Sequence, residues 1–119
     1  MKTILHMACL VFCFTSCEDI IEVEDISEKD INVLAPLNNT VLDNIAVTFS
    51  WEAVNDAETY HIQVATPSFT NAQQIVKDTI VKITQLSTVL SAKNFEWRVR
   101  GENSDYTTGY TTQNFTIEE

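Results

Sequence analysis

Few side chains in this sequence have the type and spacing that catalysis requires. The chain contains two histidines, His6 and His61, and no serine or cysteine elbow stands beside His61. Glu52 lies close to Asp56 and Glu58, and paired carboxylates can hydrolyse glycosides when a cleft raises the pKa of one of them. Two glycines are too few for a phosphate-binding loop, and the histidines do not form a zinc site. We therefore predict no catalytic residue, no metal and no bound cofactor.

The chemistry that the sequence does support lies at Cys17, which ends an apolar leader. Lys2 supplies a positive start, and residues 4–14 form an apolar run broken only by His6, too short to span a bilayer. The run ends at Phe14-Thr15-Ser16-Cys17, which resembles the lipobox of bacterial lipoproteins. The resemblance implies that residues 1–16 are a lipoprotein signal peptide, cleaved immediately before a cysteine that carries diacylglycerol. Phenylalanine at position 14, where leucine is commoner, is a mild departure from the motif.

The cysteine content agrees with a lipid anchor. Cys9 and Cys13 lie within the leader, so the mature chain would keep only Cys17 and could form no internal disulfide in an oxidising compartment. Each buried methylene contributes about 0.8 kcal/mol, so two or three acyl chains on one cysteine hold a protein stably to a membrane. We therefore expect the covalent lipid on Cys17 to attach the protein to a membrane. The alternative is an ordinary secreted protein in which Cys17 is a free thiol.

An acidic segment follows Cys17 and predicts a tether. The chain has 17 acidic against 7 basic residues, and its net charge of -10 would repel nucleic acid. Seven of the carboxylates lie between Glu18 and Asp30, and repulsion among like charges favours an extended segment. We expect residues 17–30 to be the acylated cysteine and its tether, with a reach of roughly 45 Å. Calcium binding, the alternative for these carboxylates, lacks the required glycine-punctuated spacing.

The position of the acidic residues also predicts a location. Carboxylates directly after an acylated cysteine resemble the export signal of some Gram-negative lipoproteins. This resemblance implies the outer membrane and its cell-surface face, with a periplasm-facing position as the alternative.

Beyond residue 30, apolar and polar residues alternate as in half-buried strands. Ile45 to Trp51, Thr59 to Ala65 and Phe95 to Arg100 show this period of two clearly. Weaker runs predict strands at residues 30–34, 74–77, 79–84 and 111–117, with turn-forming residues such as Lys77-Asp78 between them. Seven short strands without an amphipathic helix favour an all-β, antiparallel sandwich over any α/β fold.

Within this pattern, widely spaced residues resemble a known family. Phe49-Ser50-Trp51, the segment Ala57 to Val64, and Phe95-Glu96-Trp97-Arg98-Val99-Arg100 are similar to the fibronectin type III domains of bacterial envelope proteins. The resemblance spans about residues 31–117 of a domain expected at residues 31–119, and it implies a seven-stranded immunoglobulin-like sandwich with a tryptophan and the tyrosine of its third strand in the centre. Alternation places Trp51 and Trp97 on inward strand faces, so we expect both in the core. The resemblance places Phe95 where the family has a tyrosine whose hydroxyl ties a corner to the backbone, so this hydrogen bond should be missing.

The surface must then supply the function, because this fold serves many roles. Tyr106 and Tyr110 lie among small polar residues in the last long loop and are possible contacts for a protein or a sugar, although they could also simply cover the sheet edge. Phe69 is expected to plug one end of the sandwich. We predict a non-catalytic envelope lipoprotein that serves as a protein-interaction or spacer module in an outer-membrane assembly. The alternative is a surface glycan-binding accessory lipoprotein of a polysaccharide-uptake system.

Overall fold

The computed structural model describes residues 22–119, which form short β-strands and no helix. The leader and Cys17 lie outside the described residues. The strands are β1 (Val33–Ala35), β2 (Thr40–Leu42), β3 (Ala46–Trp51), β4 (Thr59–Thr66), β5 (Gln74–Val81), β6 (Gln85–Val89), β7 (Asn94–Glu102) and β8 (Thr111–Ile117). Within residues 22–119 there is consequently no helix long and apolar enough to cross a membrane.

The strands form two sheets that pack face to face. One sheet has the order β1-β3-β6 and the other the order β2-β8-β7-β4-β5. All neighbouring pairs are antiparallel except β2 and β8, which run parallel from Thr40 opposite Phe115 to Leu42 opposite Ile117. Because β1 and β2 belong to different sheets, the chain crosses from one sheet to the other between Ala35 and Thr40.

Alternation along the strands fills the space between the sheets. Trp51 and Trp97 are 1% and 0% exposed, so the predicted inward position of both tryptophans is confirmed. Phe49 packs against Trp97 and Phe115, with ring centroids 5.0 and 5.7 Å apart. Most of the core comes from every second residue of the longer strands: Val47, Phe49, Trp51, Tyr60, Ile62, Val64, Phe95, Trp97, Val99, Phe115 and Ile117. Ile31 and Val33 complete it. Aromatic rings therefore hold the two sheets together.

Phe95 lies in this aromatic core. Its ring stacks on Phe115 with centroids 5.3 Å apart. A partly buried phenolic hydrogen bond occurs elsewhere, because the backbone N–H of Val54 donates to the Tyr60 hydroxyl at 3.0 Å.

The predicted strand boundaries were wrong in one region. Residues 74–77 and 79–84 were expected to be two strands separated by a turn at Lys77-Asp78, but β5 runs unbroken through that dipeptide, and β6 follows where no strand was predicted. Asp78 lies opposite Gln63 of β4 and accepts hydrogen bonds from Gln63 and His61. These tertiary contacts outweigh the turn preference of aspartate.

The described part of the acidic segment is not an extended tether. Ile26 is fully buried, and the Glu24 carbonyl accepts a hydrogen bond from Asn103 at 2.9 Å. Lys29 donates to the Asn55 carbonyl at 3.1 Å and lies 3.7 Å from the Asp56 carboxylate. The expectation of an extended chain up to residue 30 is therefore corrected, because burial of Ile26 and these bonds hold the segment against the domain from Glu24 onward.

The architecture confirms the predicted all-β sandwich. Eight strands are present in residues 22–119 rather than seven, because β2 and β6 were not predicted and the two strands expected at residues 74–77 and 79–84 form the single strand β5. The three residues of β2 show no alternation long enough to predict a strand.

Candidate functional site

The outer face of the five-stranded sheet carries a group of interacting polar side chains. His61 and Gln63 of β4 lie on the face opposite to the buried Ile62, and Arg98 and Arg100 of β7 lie on the face opposite to the buried Val99. His61 is opposite Arg100, and Gln63 is opposite Arg98, across the antiparallel pair. These are the only two arginines in the sequence, and the register places both in the middle of one sheet.

Arg98 is held between two aromatic rings. Its Nε donates to Gln63 Oε1 at 2.8 Å, and its Cζ lies 4.2 Å from the ring centroid of Phe69 and 4.4 Å from that of Tyr110. Contacts of a guanidinium with an aromatic face contribute about 0.5–2 kcal/mol each, depending on how far they are desolvated. The flanking rings therefore restrict the guanidinium to one orientation on the sheet.

Arg100 extends this arrangement toward the end of β7. Its Nε donates to Glu102 Oε2 at 2.9 Å, and its Cζ lies 4.8 Å from the Tyr110 ring centroid. The Nη atoms of both arginines make no hydrogen bond within the part of the chain that the structure describes. We call Phe69, Arg98, Arg100 and Tyr110 the arginine–tyrosine surface. It offers two oriented guanidinium forks and two aromatic rings on a rigid sheet.

His61 connects this surface to the edge strand β5. Its Nε2 forms a hydrogen bond with Asp78, while its Nδ1 lies 3.3 Å from the Tyr110 hydroxyl and 3.7 Å from Glu102. Hydrogen bonds from His61 and Gln63 lower the pKa of the Asp78 carboxyl below its ordinary value. When Nε2 carries the imidazole proton, His61 donates to Asp78 and accepts from Tyr110. The histidine thus fixes the position of the tyrosine.

The two tyrosines predicted as ligand contacts have different settings. Tyr110 lies on the sheet face, in contact with both arginines. The backbone N–H of Tyr106 donates to Asn103 Oδ1 at 2.9 Å, and its carbonyl accepts from Asn103 N–H at 3.0 Å. Asn103 Nδ2 also donates to the carbonyls of Glu24 and Asp56. The side chain of Asn103 therefore ties the loop of Tyr106 to the N-terminal segment.

Other residues considered in the sequence have structural partners. Glu52 accepts a hydrogen bond from Asn32 at 2.9 Å, and Asp56 lies in the contact with Lys29 described above. In residues 22–119 no group of three or more acidic, histidine or cysteine side chains is arranged to hold a metal ion. Phe69, expected to plug the end of the sandwich, instead packs on Arg98 and is only partly buried, which corrects that expectation.

A second feature is an apolar groove where the chain crosses between the sheets, beside β1, β2 and the start of β3. Its volume is about 270 Å³, and its lining contains no charged residue: Leu34, Ala35, Pro36, Leu37, Thr40, Leu42, Ala46, Val47 and Thr48. Leu34 and Leu37 are each 49% exposed, and neighbouring Val41 is 60% exposed. The Trp97 indole donates to the Pro36 carbonyl at 2.9 Å, which fixes one wall of the groove.

The sequence did not predict functional roles for Phe69, Arg98 and Arg100. Alternation along residues 95–100 already placed both arginines outward, two positions apart on one strand face. The sequence could not show that Phe69 and Tyr110, from two loops, would fold over them.

Comparisons with known proteins support the fold. No family model matches the chain, and no curated protein matches it. A fibronectin type III domain derived from human KIAA0970 protein superposes with a TM-score of 0.57 at 11% identity, covering 87% of this chain and 86% of that one. The fibronectin(III)-like modules of Clostridium thermocellum CbhA give 0.53 at 11% identity, covering 74% of this chain and 95% of that one.

A third similar structure is an Fn3-like protein from Clostridium thermocellum, with a TM-score of 0.50 and 14% identity over 75% of this chain and 88% of that one. The fold is therefore that of a fibronectin type III-like sandwich, as the sequence predicted.

Proposed function

We propose that this protein is a lipid-anchored, non-catalytic module that binds a protein partner in a bacterial outer-membrane assembly. Domains with this fold generally act as binding or spacer modules. The observation that carries the binding role is the arginine–tyrosine surface. Tyrosine and arginine are enriched at the energetic centres of protein interfaces, and here both are oriented before any partner arrives.

The same surface favours a protein over a glycan. A sugar needs an aromatic face on which to stack, whereas the Tyr110 ring already packs against two guanidinium groups. A protein partner can instead use the unpaired Nη atoms of Arg98 and Arg100 through carboxylate or carbonyl groups. A glycan-binding accessory lipoprotein remains the rival function, and the experiment below distinguishes the two.

The anchor at Cys17 rests on the lipobox-like sequence Phe14-Thr15-Ser16-Cys17, and the point at which the chain joins the domain sets its reach. The Glu24 carbonyl is bound to Asn103, so only the seven residue steps from Cys17 to Glu24 separate the proposed lipid from the folded part. At full extension those steps span about 25 Å. The end of the sandwich that carries the Tyr106 loop would then lie close to the membrane, while the outer sheet face stays accessible from the side.

Crosslinking in intact cells tests the proposal, with purification of the tagged protein and identification of what is recovered. We expect one envelope protein in near-equal amount, a recovery reduced tenfold or more by Tyr110→Ala, and full recovery with Tyr106→Ala as the matched control. Unchanged recovery with Tyr110→Ala would contradict binding through this surface and leave a spacer. Recovery of no specific protein, together with retention on polysaccharide that Tyr110→Ala abolishes, would establish the glycan-binding rival.

The anchor is tested separately by metabolic labelling with an alkyne fatty acid and by fractionation. We expect the wild-type protein to be labelled and membrane-bound, and the Cys17→Ser variant to be unlabelled. Equal labelling of both proteins, or none of either, would contradict acylation at Cys17.

A further inference from the structure

The apolar groove lies beside a part of β3 that lacks a neighbouring strand. β1 pairs with β3 only through Val33 opposite Trp51 and Ala35 opposite Ser50. The chain then leaves this sheet, and β2 pairs with β8 of the other sheet instead. Within residues 22–119, the first four residues of β3 therefore have β6 on one side and no strand on the other.

Backbone groups on this open side are oriented for pairing. The Trp51 N–H donates to Thr84, and the Ile45 carbonyl accepts from Leu90, both toward β6. Because successive residues of a strand direct their backbone groups to opposite sides, Ala46 and Thr48 direct theirs to the side that β1 leaves uncovered. The Ala46 N–H already donates a hydrogen bond to Asn44 Oδ1 at 2.8 Å. Within residues 22–119, the Ala46 carbonyl and both backbone groups of Thr48 have no strand to pair with on this side and are available to an added strand.

The groove can accept the side chains of such a strand. A strand beside β3 would direct alternate side chains between the sheets, next to the buried Val47. The volume of about 270 Å³ exceeds the roughly 150 Å³ of an apolar cavity that is known to bind benzene. The exposed Leu34 and Leu37 would cover the inserted side chain from the rim.

Charge and chain length limit what can occupy this place. The chain has a net charge of -10, yet no charged residue lines the groove, so an uncharged apolar segment fits without desolvating an ion. The segment before Glu24 joins the opposite end of the sandwich, at Asn103 beyond β7. From Glu24 to Cys17 this segment spans about 25 Å at full extension, which is no longer than β7. It would use its whole length to pass along the sandwich, and no residues would remain to lie in the groove.

We propose that the groove binds an extended, uncharged apolar segment of a partner protein, which adds to β3 as a strand and inserts a side chain between the sheets. Backbone hydrogen bonds supply affinity in this mode, and the groove selects the inserted residue. This site lies apart from the arginine–tyrosine surface, so binding at the groove can succeed or fail independently of the function proposed for that surface.

The test uses the full-length protein in detergent and an uncharged, fluorescent heptapeptide that alternates threonine with valine and leucine. We expect saturable binding that Ala46→Arg weakens tenfold or more and that Ala72→Arg leaves unchanged. Ala46 is exposed and lines the groove, and Ala72 is also exposed, in the loop between β4 and β5, so neither substitution enters the core. A melting temperature within a few degrees of wild type confirms that each variant is folded.

Amide hydrogen exchange locates the bound peptide. We expect the Thr48 amide to exchange at least tenfold more slowly with peptide, and the amides of β5, an edge strand of the five-stranded sheet, to be unaffected. Absence of binding, equal affinity for both variants, or protection of β5 instead of Thr48 would overturn the proposal. Concentration-dependent self-association that Ala46→Arg abolishes would also overturn it, because a second copy would then be the occupant.

Discussion

The two core tryptophans allow a matched test of how the sandwich is stabilised. Both are essentially buried, but the Trp97 indole N–H donates to the Pro36 carbonyl at 2.9 Å, whereas the Trp51 indole N–H has no hydrogen-bond partner within residues 22–119. Replacement of either by phenylalanine removes the same atoms. The loss of apolar contact is therefore similar in the two variants, and the difference between them reports on the hydrogen bond.

Trp97→Phe leaves the buried Pro36 carbonyl without its donor, which costs about 1–3 kcal/mol beyond the lost packing. Trp51→Phe instead removes a buried unpaired donor and relieves a penalty of about 1–3 kcal/mol. We therefore expect Trp97→Phe to lower the free energy of unfolding by about 2 kcal/mol or more relative to Trp51→Phe. For a domain of this size, that difference corresponds to a gap of about 8–16 °C in melting temperature.

Urea unfolding followed by circular dichroism measures the difference in free energy of unfolding between the two variants. Because each variant keeps one tryptophan, fluorescence gives an independent second signal. Equal losses in the two variants, or a larger loss in Trp51→Phe, would refute the role assigned to the Trp97 hydrogen bond. Either result would also mean that the hydrogen bond from Trp97 to Pro36 does not fix the position of the crossover between β1 and β2.

Three further predictions concern the N-terminal segment, the closely packed Gly101 and the Asp78 carboxylate. Ile26→Ala should lower the free energy of unfolding by about 2–5 kcal/mol because Ile26 is fully buried, and an unchanged urea midpoint would contradict docking of the segment. Gly101→Ala should cost about 1–3 kcal/mol because a Cβ there would lie 3.1 Å from Ala57 Cβ, whereas Gly109→Ala has open space and should be near neutral; equal midpoints would contradict this. Because the pKa of Asp78 is lowered in the folded state, its stabilisation is present above the ordinary value of 3.8 and is lost as the pH falls through the lowered value. Urea midpoints between pH 6 and pH 2 should therefore fall less steeply for Asp78→Asn, and identical slopes would contradict the assignment.

Alternation made much of the sandwich predictable from the sequence. A strand with one face in the core must place apolar residues at every second position, and residues 45–51, 59–65 and 95–100 do so without interruption. Alternation did not predict the edge strands β5 and β2 correctly. Neither face of β5 is fully buried, and β2 depends on a parallel partner far away in sequence. The turn preference of Lys77-Asp78 also led to a predicted strand boundary there, where β5 is continuous.

The candidate site was predictable only in part. The outward positions of Arg98 and Arg100 follow from the burial of Trp97 and Val99. The arginine–tyrosine surface also needs Phe69 and Tyr110 to fold onto the sheet, and no local pattern specifies loop placement. In the acidic segment, charge repulsion predicted an extended chain, but burial of the single residue Ile26 together with contacts to distant loops outweighs it.

Site-specific photocrosslinking in intact cells tests the central claim most directly, that the outer sheet face binds a protein. Thr112 of β8 is exposed and lies opposite Arg98, so a photoreactive residue placed there reaches whatever contacts the arginine–tyrosine surface. Ser104, exposed in the loop before Tyr106, serves as the control position. We expect one discrete adduct with an envelope protein from position 112, lost with Tyr110→Ala, and none of the same mass from position 104. No adduct from position 112, or the same adduct from both positions, would contradict the claim.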